Sequence, residues 1–453
     1  LADRVVKTTD KKERAAADTR TLGLYEGENR LRGNGRIDGA AGANKLDYSA
    51  YTTALNLTLS SAGLDGFSGA GTGLGTGFSN LTLITGGQNL ADKLTGANVA
   101  SLWYFDAQYT YVLSGQTLTY SQFEILQGGS ADDTFLVANG AAASMAIDGG
   151  AGSDTVDYSA ALSGAYTTAV TANLTTGILI GFSGLVSGIE NLTGGLGNDQ
   201  LTGNADANIL SGGPGDDKLF GLGGNDTLIG GTGSDTLTGG TGDDRYIFAA
   251  GWGLLDTIVE NAFEGADTLD FSAISTSLTF TLNILSVTDT FGNSVKHLGS
   301  AIETLLGGSA ADTFIFGAGV AVKGKIDGGV GLDSLDLSAY SAPLLFTLTG
   351  AGSLDGFAGT GATTLGSFDN INSIIGGKAL DTLIGLNTAS VWTINPAPTA
   401  RTYSSGGRSL SFISLDSLIG GSANDTFKFI GAASLAGTLD GGLGKDTLDY
   451  STY

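Results

Sequence analysis

The chain has 453 residues, of which 75 are glycine, 4 are proline and none is cysteine. The lack of cysteine excludes a disulfide scaffold, thiolate metal sites and a thiol nucleophile, and the scarcity of proline excludes a collagen-like or proline-rich chain. With 45 acidic against 21 basic residues and a formal net charge of −24, nucleic acid and anionic membrane surfaces are unsuitable partners without an intervening cation. A hydrophobic content of 41% suffices for a core, yet no run of about 18 apolar residues is available to span a bilayer.

The first 36 residues hold nine of the 21 basic side chains (Arg4, Lys7, Lys11, Lys12, Arg14, Arg20, Arg30, Arg32 and Arg36), interleaved with acids. The stretch 1–18 predicts a short helix, serving as a cap over the next segment or as a tether to preceding domains. The chain opens on Leu1 without a charged region followed by an apolar one, so the expectation is a processed product or a piece of something longer.

From residue 37 onward the sequence repeats itself on a long scale. An Asp-x-Ser tripeptide recurs at Asp47, Asp157, Asp270, Asp336 and Asp449, and a GGSxxDTF signature begins at Gly128, Gly307 and Gly420. Alternating runs such as TALNLTLS, TFTLNI and LLFTLTG predict short strands punctuated by glycine. Each GGSxxDTF turn is followed 21 residues later by a second glycine turn, which pairs Asp133 with Asp154, Asp312 with Asp333 and Asp425 with Asp446. Such spacing fits one coil of a stacked structure, with both carboxylates on the same edge. Two readings of these pairs stay open: three cation sites, or aspartates that cap turns by accepting backbone N–H groups.

Residues 194–247 are six nine-residue units in unbroken register: GGLGNDQLT, GNADANILS, GGPGDDKLF, GLGGNDTLI, GGTGSDTLT and GGTGDDRYI. Glycine at the first place, and in all but one unit at the fourth, predicts tight turns with positive φ. The sixth place supplies a carboxylate in Asp199, Asp217, Asp226, Asp235 and Asp244, while the eighth (Leu201, Leu210, Leu219, Leu228, Leu237 and Tyr246) is apolar or aromatic and predicts an inward-facing strand residue. The second unit departs, with Asn208 in the sixth place and Asp206 in the fourth. All these donors are oxygens with no His or Cys beside them, which favours calcium over zinc or copper. A flexible glycine- and aspartate-rich linker would not keep an apolar residue every nine positions.

This pattern resembles the nonapeptide of the RTX (repeats-in-toxin) family, whose members wind it into a calcium-filled parallel β-roll. The resemblance implies that one coil takes two nonapeptides, so that Asp199, Asp217 and Asp235 line one edge and Asn208, Asp226 and Asp244 the other, neighbours sharing an ion. Asp206 joins them as a candidate ligand. It also implies type I secretion from a Gram-negative cell.

Beyond the array, 326–421 duplicates 37–129, including LDGF at Leu64 and Leu354 and tryptophan at Trp103 and Trp392. The tryptophans read first as duplicated packing and second as a carbohydrate-stacking platform. Catalytic chemistry has little to use: His297 is the one histidine, no GxSxG accompanies it, and the acidic pairs fall in register with the repeat rather than as a glycosidase pair.

The resulting expectation is an all-β parallel β-roll or β-helix solenoid, with a short N-terminal helix. Its predicted segments are 1–36, 37–193, 194–247, 248–325 and 326–453. It is expected to be a non-enzymatic, calcium-binding element of an extracellular bacterial surface assembly, such as an adhesin, surface layer or filament. The alternative is the non-catalytic RTX part of a secreted exoenzyme or toxin. Expected partners are other copies of itself or further domains of the same polypeptide, with surface glycans a further class.

Overall fold

A computed structural model describes residues 20–23, 37–39, 41–74, 76–159, 164–261, 264–282, 286–298, 302–361, 365–396 and 399–453. The helix expected over 1–18 lies outside them. All the described regular structure is β, with no helix among the described residues. The chain divides into two compact units, Leu1–Gly223 and Gly224–Tyr453.

In the first unit, short strands stack in parallel ladders. One ladder climbs from Leu102–Phe105 through Thr134–Val137 and Thr155–Asp157 to Asn191–Thr193 and Ile209–Pro214. A second runs from Lys93–Thr95 through Ile125–Gln127 and Ala146–Asp148 to Val186–Ser187, and a third joins Thr171–Asn173, Gln200–Thr202 and Lys218–Gly223. The second unit repeats the scheme: Thr227–Thr232 pairs with Arg245–Ile247, then Asp267–Asp270, Ile302–Leu306 and Val322–Asp327. Such ladders are those of a β-solenoid, in which each coil covers its neighbour's apolar face.

The period-two alternation of these strands sends one side chain inward per short strand. Every eighth-place residue of the array, Leu201 through Tyr246, is fully buried, as are Trp103 and Trp392. The duplicated modules pack these tryptophans alike. Trp103 meets Tyr111 edge-on at 4.6 Å and stacks on Phe135, and Trp392 meets Tyr403 at 4.6 Å and stacks on Phe427. Duplicated packing is therefore their role, and burial removes both from any sugar-stacking platform.

The long coils contain an element that the sequence reading lacked. Three-stranded antiparallel meanders leave the coil and return to it, as at Leu102–Phe105, Tyr109–Leu113 and Gln116–Ser121, and in the duplicate at Ser390–Ile394, Arg401–Ser405 and Arg408–Ile413. Three strands restore the chain direction, so the outer two rejoin parallel ladders. Ser114-Gly115 and Gly406-Gly407 turn the matching hairpins with positive φ at both residues, the backbone of a two-residue turn that suits strand twist.

Glycine serves two distinct purposes in the turns. Positive φ falls at the second and fourth places (Gly213, Gly215, Gly231, Gly233, Gly240 and Gly242), not at the first. First-place glycines are needed for close approach instead: a Cβ on Gly149 would overlap the carbonyl oxygen of Gly188 in the next coil, and one on Gly128 that of Gly149. The expectation of positive φ at the first place is thus corrected.

Candidate metal centre in the glycine turns

Each turn ends at an aspartate whose side chain folds inward, because the short strand that follows fixes the next side chain but one in the core. Asp199, Asp217, Asp226, Asp235 and Asp244 are all buried. One carboxylate oxygen accepts a backbone N–H from the neighbouring coil: Val170 N–H to Asp199 Oδ1 at 2.7 Å, Asp199 N–H to Asp217 Oδ1 at 2.7 Å and, in the second unit, Asp226 N–H to Asp244 Oδ1 at 2.7 Å. The other oxygen can turn back on its own loop, as where Gly195 N–H donates to Asp199 Oδ2 at 2.6 Å.

The pairs spaced by 21 residues come together in the same way. Asp133 N–H donates to Asp154 Oδ1 at 2.7 Å, Asp312 N–H to Asp333 Oδ1 at 2.8 Å and Asp425 N–H to Asp446 Oδ1 at 3.0 Å. Both carboxylates of each pair therefore stand on one edge of adjacent coils, and Asp133, Asp312 and Asp425 also accept the second-place glycine N–H of their own turns. Capping by backbone amides is present in all three.

The second unit of the array differs. Asp206 is exposed, on a turn where its amide donates to Asn204 Oδ1. Asn208 lies in the buried column, but its Nδ2 donates to Glu190 O at 2.8 Å. An amide hydrogen thus stands where the other turns present only acceptors.

Several column members were not anticipated from sequence. Asp92, Asp256, Asp267 and Asp381 are buried in equivalent roles: Leu55 N–H donates to Asp92 Oδ1, Asp235 N–H to Asp256 Oδ1, Asp244 N–H to Asp267 Oδ1 and Leu344 N–H to Asp381 Oδ1. Three of the four begin an Asp-Thr-apolar tripeptide (Asp256-Thr257-Ile258, Asp267-Thr268-Leu269 and Asp381-Thr382-Leu383), a signal that does not depend on nine-residue register. A second ladder lies one residue earlier, where Asp216 N–H donates to Asn198 Oδ1 and Asp243 N–H to Asn225 Oδ1.

Burial makes these carboxylates hard to ionise. Desolvation first, and then nearby carboxylates, push Asp154, Asp244 and Asp267 up to about 6 and Asp256 to about 7, against backbone hydrogen bonds that pull downward. Glu260 is pushed up to about 8 by burial and by Asp267, and Tyr246 donates a hydrogen bond to it.

Residues 186–219 and 220–251 match the family model of the RTX calcium-binding nonapeptide repeat. The chain carries RTX calcium-binding repeats. No curated protein matches it. The RTX match spans Asp199, Asp206, Asn208, Asp217, Asp226, Asp235 and Asp244; the three pairs spaced by 21 residues lie outside it.

The turn chemistry fits the ion. The Oδ2 atoms of Asp154, Asp244 and Asp267 are buried and accept no hydrogen bond, and a buried anionic oxygen without a donor is costly unless a cation meets it. Among the described residues, no three His, Cys, Asp or Glu side chains converge to hold a metal. A calcium ion in such glycine turns would thus draw its further ligands from backbone carbonyls, which suits an oxygen-only site of high coordination number. Bound there, it would neutralise the carboxylate column; the glycines keep the coils close enough for both to contribute.

Proposed function

We propose that this chain is a non-catalytic, calcium-stabilised structural element of an extracellular bacterial surface or matrix assembly, with an adhesive, layer-forming or filament-forming role. The observation that carries this reading is the buried carboxylate column, which recurs in both units as part of the turns themselves. The column acids accept backbone amides of adjacent coils, a use in building the solenoid rather than in turning over a substrate. A fold that depends on calcium suits the outside of a cell, where modules with Kd of roughly 10⁻⁴–10⁻³ M are loaded.

The assembly part of the reading follows from the way coils stack, since a head-to-tail contact between solenoid copies that does not close makes a filament or sheet. Light scattering and negative-stain microscopy of the native protein test it. Growth of large assemblies in millimolar calcium, reversed by chelation, is expected; a strict monomer at high concentration in calcium would overturn the assembly role.

A further inference from the structure

The duplicated modules build one turn on the same frame and then differ at the side chain that closes it. The turn 39–44 ends at Asn44, and its duplicate 328–333 ends at Asp333. Around both, an asparagine at φ +57 (Asn80 or Asn370) closes the coil. Its Nδ2 donates to the acid before the turn, Asn80 to Asp38 at 2.7 Å and Asn370 to Asp327 at 2.6 Å. Its carbonyl oxygen sits where a Cβ on Gly39 or Gly328 would fall, so each turn meets that carbonyl alike.

The two turns answer it differently. Asn44 Nδ2 donates to Asn80 O at 3.1 Å and to Gly42 O at 3.0 Å, which closes the first turn with amide hydrogens. Asp333 has no hydrogen to give when ionised. Its Oδ1 accepts Asp312 N–H, while its Oδ2 is fully buried and accepts no hydrogen bond. A Cβ on Gly328 would lie 2.5 Å from Asn370 O and 2.7 Å from Asp333 Oδ2, so in this module the carbonyl oxygen and the carboxylate border one small space where the first module has an amide.

A second acid reaches the same turn only in the second module. In the first, Gly63 pairs with Gly66, closing a two-residue hairpin turn that leaves Asp65 exposed. The duplicate has one more residue, Ser353, and its pairing ends at Ala351 with Phe357. The longer loop folds back, tied by Ser353 N–H to Asp369 Oδ1 and Leu354 N–H to Asn370 Oδ1. It thereby seats Asp355 on the turn, where Gly331 N–H donates to Asp355 Oδ2 at 2.9 Å and Asp355 Oδ1 is buried without a donor.

We propose that Asp333, Asp355 and the carbonyl oxygen of Asn370 hold a divalent cation of calcium chemistry, outside the matched repeats, and that the turn 39–44 is its cation-free counterpart, closed by the Asn44 amide. Two carboxylates with carbonyl oxygens and no nitrogen or sulfur donor are a hard-cation set, unlike the ligands zinc prefers. The proposal rests on the calcium reading of the sixth-place aspartates and adds a ligand, Asp355, supplied by a hairpin loop rather than by a repeat.

Calcium per chain, measured by atomic emission after equilibrium dialysis of the full chain, tests it against Asp333→Asn, Asp355→Asn and, within the matched repeats, Asp217→Asn. Asp333→Asn should lose one calcium per chain while its unfolding temperature in calcium-free buffer holds or rises, because the new amide can close the turn as Asn44 does. Asp355→Asn should weaken one site at least tenfold. Unchanged stoichiometry and affinity in both, with one calcium lost in Asp217→Asn, would overturn the hairpin site and leave the repeat sites standing. A rise in calcium-free stability with no calcium lost would assign a proton to the place and overturn it too. A wild-type chain that takes up no calcium would overturn the wider reading as well.

Discussion

Leu222 occupies the second place of its unit with φ +81, where Gly213, Gly231 and Gly240 adopt +94, +108 and +101. A left-handed backbone costs a residue with a Cβ about 1–2 kcal/mol, and Leu222 is 46% exposed, so its side chain returns little through burial. Glycine restores some unfolded-state freedom, worth about 0.5–1 kcal/mol against the folded form. Leu222→Gly should therefore stabilise the protein by up to about 1 kcal/mol, read as a small rise in unfolding temperature in calcium; a fall would show that the leucine packs more than it strains. Residue roles were legible wherever the nine-residue register held: the eighth-place apolar residues are buried as their place predicted, and the sixth-place aspartates, read from sequence as carboxylate donors, are buried beside them. They were missed where the spacing breaks, as at Asp256 and Asp267, since the turns that precede these aspartates are not nonapeptides. Positive φ holds at fourth-place glycines such as Gly215, Gly233 and Gly242 but was wrongly assigned to the first place, because close approach between coils, the reason for the first-place residue, involves a chain segment far away in sequence.

At the scale of the coil, contact between neighbouring backbones sets the tolerance to substitution. A Cβ at Gly149 would overlap Gly188 O and crowd Asp154 Oδ2 at 2.6 Å, whereas one at Gly350 would meet nothing within 4 Å. Gly149 has no positive φ to lose, so Gly149→Ala isolates crowding from backbone strain. Overpacking of this kind costs about 1–3 kcal/mol, while Gly350→Ala should be near neutral. Urea unfolding of both variants in calcium checks the contrast, and equal midpoints would refute a steric role for the first-place glycine. Individual strands were readable from alternation, but their partners were not. The turn at Ser114-Gly115 is a local signal of a hairpin, yet nothing local tells that Leu102–Phe105 also lies parallel to Thr134–Val137, a pairing decided when Trp103 covers Phe135 in the core.

For the molecule as a whole, protons and calcium compete for the same oxygens. The net charge is −24, and the folded chain holds Asp154, Asp244 and Asp267 at about 6, Asp256 and Asp333 at about 7 and Glu260 at about 8, burial being the first cause in each. These values are raised above those of the unfolded chain, near 4 for such acids, so the folded state binds protons more tightly. By linkage, stability from this source is fully present below about pH 4 and is lost as pH rises through about 6–8, the reverse of an aspartate held low by a salt bridge. Calcium binds the ionised form and should offset that loss at neutral pH, because a ligand that binds only the folded state stabilises it by mass action. In calcium-free buffer the unfolding temperature followed by circular dichroism should accordingly fall between about pH 5 and about pH 8, and millimolar calcium should flatten or reverse the trend. Calcium affinity should weaken over the same interval as pH falls, and binding near neutral pH should release protons, measurable as a buffer-dependent heat in calorimetry. A calcium-free unfolding temperature that does not change from about pH 5 to about pH 8 would show that the column carries no such coupling.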